Sequence, residues 1–304
     1  MTSQRSQHPL AGVYAAAVTP LRSPDAPPDL DALPALMRFL ASRGCHGAVL
    51  FGTTGEGPSF SPAERGAVMR AVMDDPLNGF RLIAGTGTPS LAETIELTRL
   101  AFDLGYDAAL IVPPYYFRNA SDEGLFDWFS VVIRKAVPVD KYVIGYHIPP
   151  LIGVGFSLDL LARLKDAFPL QFAGIKDSSH DADFARALGE RFGSDLMVLN
   201  GTDSYMKLAM ENHASGCITA PANIISPDLR LVWDLMIEGK DSTAAQERVT
   251  EKRHLLEKYL PFPPALKALL HRMYDLPRWA VKPPLVAISA DDEEKALKEM
   301  QKIS

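Results

Sequence analysis

Phe172-Ala173-Gly174-Ile175-Lys176-Asp177-Ser178-Ser179 is a short apolar run that ends on a lysine. Its length and branched, apolar character suit a strand buried on both faces. An ammonium group is costly to bury, so Lys176 either escapes to water or stays inside with a chemical task. On the octapeptide alone the commoner reading is a strand-end lysine whose stem covers apolar surface. The rest of the chain has to decide.

Working outward, runs of the same kind alternate with longer amphipathic segments along most of the sequence. Strands are expected near Gly12–Thr19, Gly47–Phe51, Arg81–Ala84, Ala108–Val112, Tyr142–Tyr146, Phe172–Lys176, Leu196–Leu199 and Gly216–Thr219. Eight parallel strands separated by helices is the number that closes an α/β barrel, a (β/α)8 TIM barrel. Ser61-Pro62-Ala63-Glu64 carries the signature of a capping box, and Thr88-Pro89 and Ser226-Pro227 read as later helix starts. Leu91, Ile95, Thr98 and Phe102 form one expected buried face, and Leu158, Leu161, Leu164 and Phe168 another. Residues 1–240 are read as the barrel and 241–304 as a C-terminal helical extension punctuated by prolines. Within that extension, Asp291–Glu294 is read as a solvated, acidic helix start.

Composition narrows the function classes. The 304 residues are 47% hydrophobic and 22% charged, with a formal charge of -6, and no window concentrates Lys and Arg as a nucleic-acid partner would require. The run Leu10–Val18, with Arg5 ahead of it, has the outline of a signal-peptide core, but it leads into Thr19-Pro20 and reads equally as a buried strand. No run approaches the ~20 apolar residues of a membrane span. Cys45 and Cys217 lie far apart without disulfide or zinc spacing, which points to a reducing cytoplasm.

In a parallel barrel the reactive groups gather just after each strand. Gly52-Thr53-Thr54-Gly55-Glu56-Gly57 follows the second strand and offers hydroxyls and backbone N–H groups to a small anion, though such a turn can also be only a tight turn. Pro113-Pro114-Tyr115-Tyr116 follows the fourth, and the fifth ends at Tyr146-His147-Ile148-Pro149-Pro150. A buried tyrosine or histidine taken singly is more often a packed core residue than a catalyst.

Together, Gly52-Thr53-Thr54-Gly55-Glu56, Pro114-Tyr115-Tyr116, Tyr146-His147-Ile148-Pro149 and Gly174-Ile175-Lys176-Asp177 resemble the dihydrodipicolinate synthase and N-acetylneuraminate lyase family over nearly the whole chain. The resemblance implies a TIM barrel with a helical extension, a homotetramer built as a dimer of dimers, and a class I lyase that forms a Schiff base with pyruvate. Lys176 matches the imine-forming lysine and Tyr146 the proton-shuttling phenol. Thr53 and Thr54 match the pair that holds the pyruvate carboxylate and relays protons. Tyr116 matches a tyrosine inserted from the neighbouring subunit, and Gly201 and Ile218 match the lining of the pyruvate pocket. No cofactor and no metal are expected.

The chemistry of the residues agrees. Only the neutral amine attacks a ketone, and the apolar strand around Lys176 disfavours the cation. The imine then acts as an electron sink, and a phenol suits the proton transfers that make and break the C–C bond.

The sequence also departs from the family. Leu151 falls where the dihydrodipicolinate synthases carry an arginine for the second substrate's carboxylate, and leucine cannot pair with that group. Arg118 could take its place from another direction. The Leu-x-Gly arrangement resembles the sialic-acid lyase branch, and Gly57-Pro58-Ser59-Phe60-Ser61 resembles the 2-keto-3-deoxygluconate aldolase branch. His147 replaces an asparagine often found after the tyrosine. The expected function is a pyruvate-dependent aldolase joining pyruvate to an aldehyde, or cleaving a 2-keto-3-deoxy acid of the sugar-acid type. Dihydrodipicolinate synthase and a Schiff-base dehydratase are the same-fold alternatives, and a binding or regulatory barrel without turnover is the alternative of another class.

Overall fold

The computed structural model describes residues 8–303. Arg5 therefore lies outside the described residues. In chain order the elements are β1 Gly12–Ala16, α1 Leu33–Ser42, β2 Gly47–Leu50, α2 Pro62–Met73, β3 Arg81–Gly85, α3 Leu91–Asp103, β4 Ala108–Ile111 and α4 Asp122–Ala136. Then come β5 Tyr142–His147, α5 Pro149–Ile152, α6 Leu158–Ala167, β6 Phe172–Asp177, α7 Ala182–Phe192, β7 Met197–Asn200, α8 Met206–Glu211 and β8 Gly216–Thr219. The helices α9 Ala222–Ile237, α10 Thr243–Glu257, α11 Phe262–Tyr274 and α12 Ala290–Ile303 complete the chain. The eight strands run parallel and close a barrel in the order β1 to β8, as the alternation of apolar runs predicts.

Seven strands begin on the expected residue, and β7 begins one later, at Met197. Their residues are buried apart from half-buried Arg81 and Tyr142, which is why they read as continuous apolar runs rather than as alternating ones. β5 and β6 each extend one residue beyond expectation, so His147 and Asp177 join the ladder.

Local capping chemistry sets the helix starts. At α2 the Ser61 hydroxyl accepts from the Glu64 N–H and the Glu64 carboxylate accepts from the Ser61 N–H, the reciprocal pair read from the sequence. Two other starts differ from expectation. The cap of α3 is Ser90, with Thr88 hydrogen-bonded into the turn before it. Ser226-Pro227 falls inside α9, beside a kink where Ile225 leaves helical geometry because proline cannot continue the hydrogen-bond ladder. The buried face of α3 is also rotated: Thr94, Leu97, Thr98, Ala101 and Phe102 are buried, whereas Leu91 and Ile95 sit at its edge.

Contacts gather the chain into two compact units. One comprises residues up to 12 and 81–218; the other comprises 13–80 and 219 onward. In the first, β3 through β8 align in parallel, with a register shift between Val143 and Ile144 on β5. In the second, β1 pairs with β2, and α9 to α12 pack on one another. Helix α11 is buried from Pro263 through Leu270, as expected of a helix enclosed on every side rather than amphipathic. Glu293, in the acidic start of α12, is not solvated: it is 4% exposed and accepts from Arg278 and Arg272, whose guanidinium groups hold its carboxyl below the ordinary range. Among the described residues no helix is long and apolar enough to cross a membrane.

Candidate active site

Lys176 and Tyr146 occupy the same rung of adjacent strands, so their side chains leave the sheet on the same side. Both are buried, at 4% and 6% exposure. The Lys176 Nζ stands 4.1 Å from the centre of the Tyr146 ring, and no carboxylate among the described residues pairs with it. The lysine that the octapeptide alone would have sent to water is inside the protein. Its aromatic neighbour tolerates an amine, an ammonium or an iminium through the ring face.

The next rung sets the shape around this pair. His147 faces Asp177, and the Ser178 N–H donates to the His147 carbonyl at 2.8 Å. His147 Nδ1 accepts the Phe156 N–H at 2.9 Å, which fixes the neutral tautomer with its proton on Nε2. The ring stacks on Phe184 at 4.5 Å between centroids. Burial pushes the His147 pKa down to about 4, against a smaller upward pull from Asp181. His147 thus pins the chain after β5 and does not act as a titrating group near neutrality. Asp177 is raised, chiefly by burial, although the Ser179 N–H donates to it at 3.0 Å.

Gly201 and Ile218 follow from the same ladder. The Gly201 N–H donates to the Asp177 carbonyl at 2.6 Å, and a Cβ at this position would sit 1.9 Å from Ser178 Oγ. The Asp177 carbonyl oxygen, 2.8 Å from that Cβ and fixed in the backbone, disfavours any side chain here. Ile218 is fully buried in β8, next to the Asn200–Cys217 rung.

Two expected residues stand apart from this buried set. Tyr116 is 77% exposed, with Phe117 set edge-on to its ring at 5.3 Å. Leu151 is 57% exposed, at the position that lacks the family's arginine. Arg118 lies close to that segment: its Cδ is 3.1 Å from where a Cβ on Gly153 would be, and no ion pair holds its guanidinium among the described residues.

Thr53 and Thr54 belong to the second unit, on the turn after β2; Thr53 is exposed and Thr54 is buried. The turn is hydrogen-bonded within itself, from the Glu56 N–H to the Thr53 carbonyl at 3.1 Å and from the Gly57 N–H to the Gly52 carbonyl at 3.2 Å. Glu56 is entirely buried and ion-paired with Lys267 of α11. Neither Glu56, within its motif, nor Lys267 is assigned a role by the sequence. The signal was present in Pro263-Pro264-Ala265-Leu266-Lys267-Ala268-Leu269-Leu270, a lysine amid apolar residues like Lys176. Phe156 and Phe184, which hold His147, carried no signal beyond their apolar character.

A parallel barrel with a buried lysine at the end of a strand, set against a tyrosine on the neighbouring strand, supplies the residue types that an imine-forming lyase needs. The model of the dihydrodipicolinate synthetase family matches residues 9–303, and the chain belongs to that family of class I, pyruvate-dependent aldolases and lyases. It is 38% identical to an uncharacterised DapA-like lyase of Chloroflexus aurantiacus, over 92% of this chain and 93% of that one. It is 34% identical to a 4-hydroxy-tetrahydrodipicolinate synthase of Sorangium cellulosum, over 77% and 76%. Among solved structures, dihydrodipicolinate synthase from Agrobacterium tumefaciens superposes with a TM-score of 0.87 at 33% identity, covering 96% of this chain and 99% of that one.

Proposed function

We propose that the protein joins pyruvate to an aldehyde, or cleaves the corresponding 2-keto-3-deoxy acid of the sugar-acid type, through an imine on Lys176. The observation that carries the reading is the buried amine on the Tyr146 ring face with no carboxylate among the described residues to neutralise it. In this reading the neutral Lys176 Nζ adds to C2 of pyruvate, and the carbinolamine loses water to leave an iminium. Loss of a C3 proton gives the enamine, which attacks the aldehyde carbon as the aldehyde oxygen takes up a proton; hydrolysis then frees the lysine and the 2-keto acid. Cleavage is the same sequence reversed. Tyr146 carries the proton transfers at the nitrogen and at the departing oxygen. Thr53 and Thr54 hold the carboxylate and extend the relay, and Gly201 and Ile218 line the pyruvate pocket.

The wide exposure of Tyr116 and Phe117 supports the insertion of Tyr116 across a subunit contact in a homotetramer. Cytoplasmic residence belongs to the same proposal; neither cysteine forms a disulfide. Leu151 supports the sugar-acid partner, because nothing at that position can pair with a second carboxylate.

A second reading, 4-hydroxy-tetrahydrodipicolinate synthase, is favoured by the unpaired Arg118 beside Gly153 and by relatives that carry that name. The deciding experiment incubates the protein with pyruvate, reduces it with borohydride and maps the adduct by mass. An adduct on Lys176 is expected; its absence from the wild type, or its survival in Lys176→Ala, overturns the proposal. A panel of sugar aldehydes run beside aspartate semialdehyde then separates the two readings by which aldehyde condenses with pyruvate.

A further inference from the structure

Glu56 lies two residues beyond Thr54, with backbone angles φ 55° and ψ 29°, a left-handed conformation that a non-glycine residue adopts only when its surroundings enforce it. The enforcing contacts come from far along the chain. One carboxylate oxygen accepts from Lys267 Nζ at 2.5 Å, and the other accepts from the Lys282 N–H at 2.7 Å. Lys267 Nζ also donates to the Ala280 carbonyl at 2.6 Å, so it ties the carboxylate to the segment after α11. The residues flanking Glu56 are held as well: the Gly55 carbonyl accepts the Thr19 hydroxyl at 2.7 Å and the Gly57 carbonyl accepts Arg65 Nε at 3.0 Å. Lys267 is 1% exposed, and the Glu56 side chain is not exposed at all.

A buried ion pair is a poor way to gain stability, since an apolar pair of similar volume usually does as well or better. It does fix direction. Two charge-assisted bonds of defined geometry set where the Glu56 backbone lies, which greasy contact would leave loose. We propose that Glu56 and Lys267 are positioning residues for the pyruvate carboxylate: α11 and the strap at 280–282, acting through the Glu56 carboxylate, hold the Thr53-Thr54 turn in its anion-receiving shape. This rests on the assignment of Thr53 and Thr54 above. Its new content is that part of the C-terminal extension sets keto-acid affinity without touching the substrate.

The test uses the full-length double variant Glu56→Gln/Lys267→Met, which removes both charges together and leaves neither buried alone. Two readouts are taken: the pyruvate concentration for half-maximal borohydride trapping on Lys176, and backbone amide exchange. The half-maximal concentration is expected to rise about tenfold or more while labelling at saturating pyruvate still reaches the wild-type level. Amides of 52–59 are expected to exchange about tenfold faster, with those of 172–177 unchanged. Wild-type half-saturation and protection in the folded double variant overturn the proposal, as does equal loss of protection in both segments, which marks general loosening. Glu56→Gln alone leaves one carbonyl oxygen for two donors and Lys267 without its anion, so it should shift both readouts in the same direction by at least as much; no shift counts against the proposal if the double variant does not fold. A wild type that traps no pyruvate refutes the Schiff-base reading, and the exchange pattern still decides whether the dyad holds the turn.

Discussion

Two buried lysines lie in similar sequence and in opposite surroundings. Lys267, within Ala265-Leu266-Lys267-Ala268, has a carboxylate at 2.5 Å and a carbonyl at 2.6 Å, so its charge is matched and its geometry fixed. Burial lowers its pKa and Glu56 opposes that shift. Lys176, within Gly174-Ile175-Lys176-Asp177, has an aromatic face at 4.1 Å and, among the described residues, no anion. An apolar neighbourhood by itself therefore does not separate a structural lysine from a nucleophile. The partner does: a carboxylate holds a cation in place, whereas a ring face leaves the nitrogen lone pair available once the proton departs.

The comparison breaks most sharply on exchange of roles. Lys176→Ala should abolish trapping of pyruvate, a loss of about 10³-fold or more. Lys267→Met should keep the adduct on Lys176 yet lower stability by about 3–5 kcal/mol in urea unfolding, because Glu56 is left buried without its cation. An adduct on Lys267 would end the distinction. Next in size, Tyr146→Phe keeps the ring beneath the amine and removes only the hydroxyl. Imine formation should slow by about 10²–10⁴-fold in stopped-flow trapping, with pyruvate still bound; an unchanged rate would leave the phenol without a role.

The third prediction concerns the rung beyond the lysine. The unfolded His147 imidazole takes a proton near its ordinary value of 6.5, whereas the folded one holds out to about 4. Between these values the unfolded state carries more protons, so stability is full above the window and falls as pH drops through it, by about 3 kcal/mol in all. His8, held near 4 for the same reason of burial, adds a change of the same sign. The difference between wild type and His147→Asn in urea melts at pH 7 and pH 4.5 isolates His147, and parallel pH profiles would contradict its buried, neutral state. Smallest is the aldehyde side. Arg118→Ala should lower condensation with a carboxylate-bearing aldehyde by about tenfold and leave a neutral sugar aldehyde unaffected, since an exposed guanidinium contributes little beyond one charge-assisted contact.

The fold was legible because burial on both faces makes each barrel strand a continuous apolar run, and eight of them recur between helices. Lys176 and Tyr146 were legible because each ends an apolar run, and the two runs become adjacent strands on which these residues share a rung. What escaped reading depends on long-range partners. Ser226-Pro227 looked like a helix start because proline favours the first turn, but packing carries α9 through it with a kink. Asp291–Glu294 looked solvated because acidic runs usually are, yet Arg272 and Arg278 reach two members of it, Glu293 and Glu294. Glu56 and Lys267 belong to the same class, since nothing near either residue announces the other.

The Glu56 contacts also put a clock on the molecule. The carboxylate is separated from Lys267 by 211 positions and from the Lys282 N–H by 226. At ribosomal speeds of about 5–20 residues per second, the turn bearing Thr53 and Thr54 emerges ~10–40 s before the residues that pin it. By the later part of that interval the nascent chain carries the lysine-bearing strand and both threonines, while the contacts that pin the turn are still to be made. If the turn holds the keto acid as proposed, that affinity is one of the last properties the growing polypeptide acquires, although its threonines are among the first residues made.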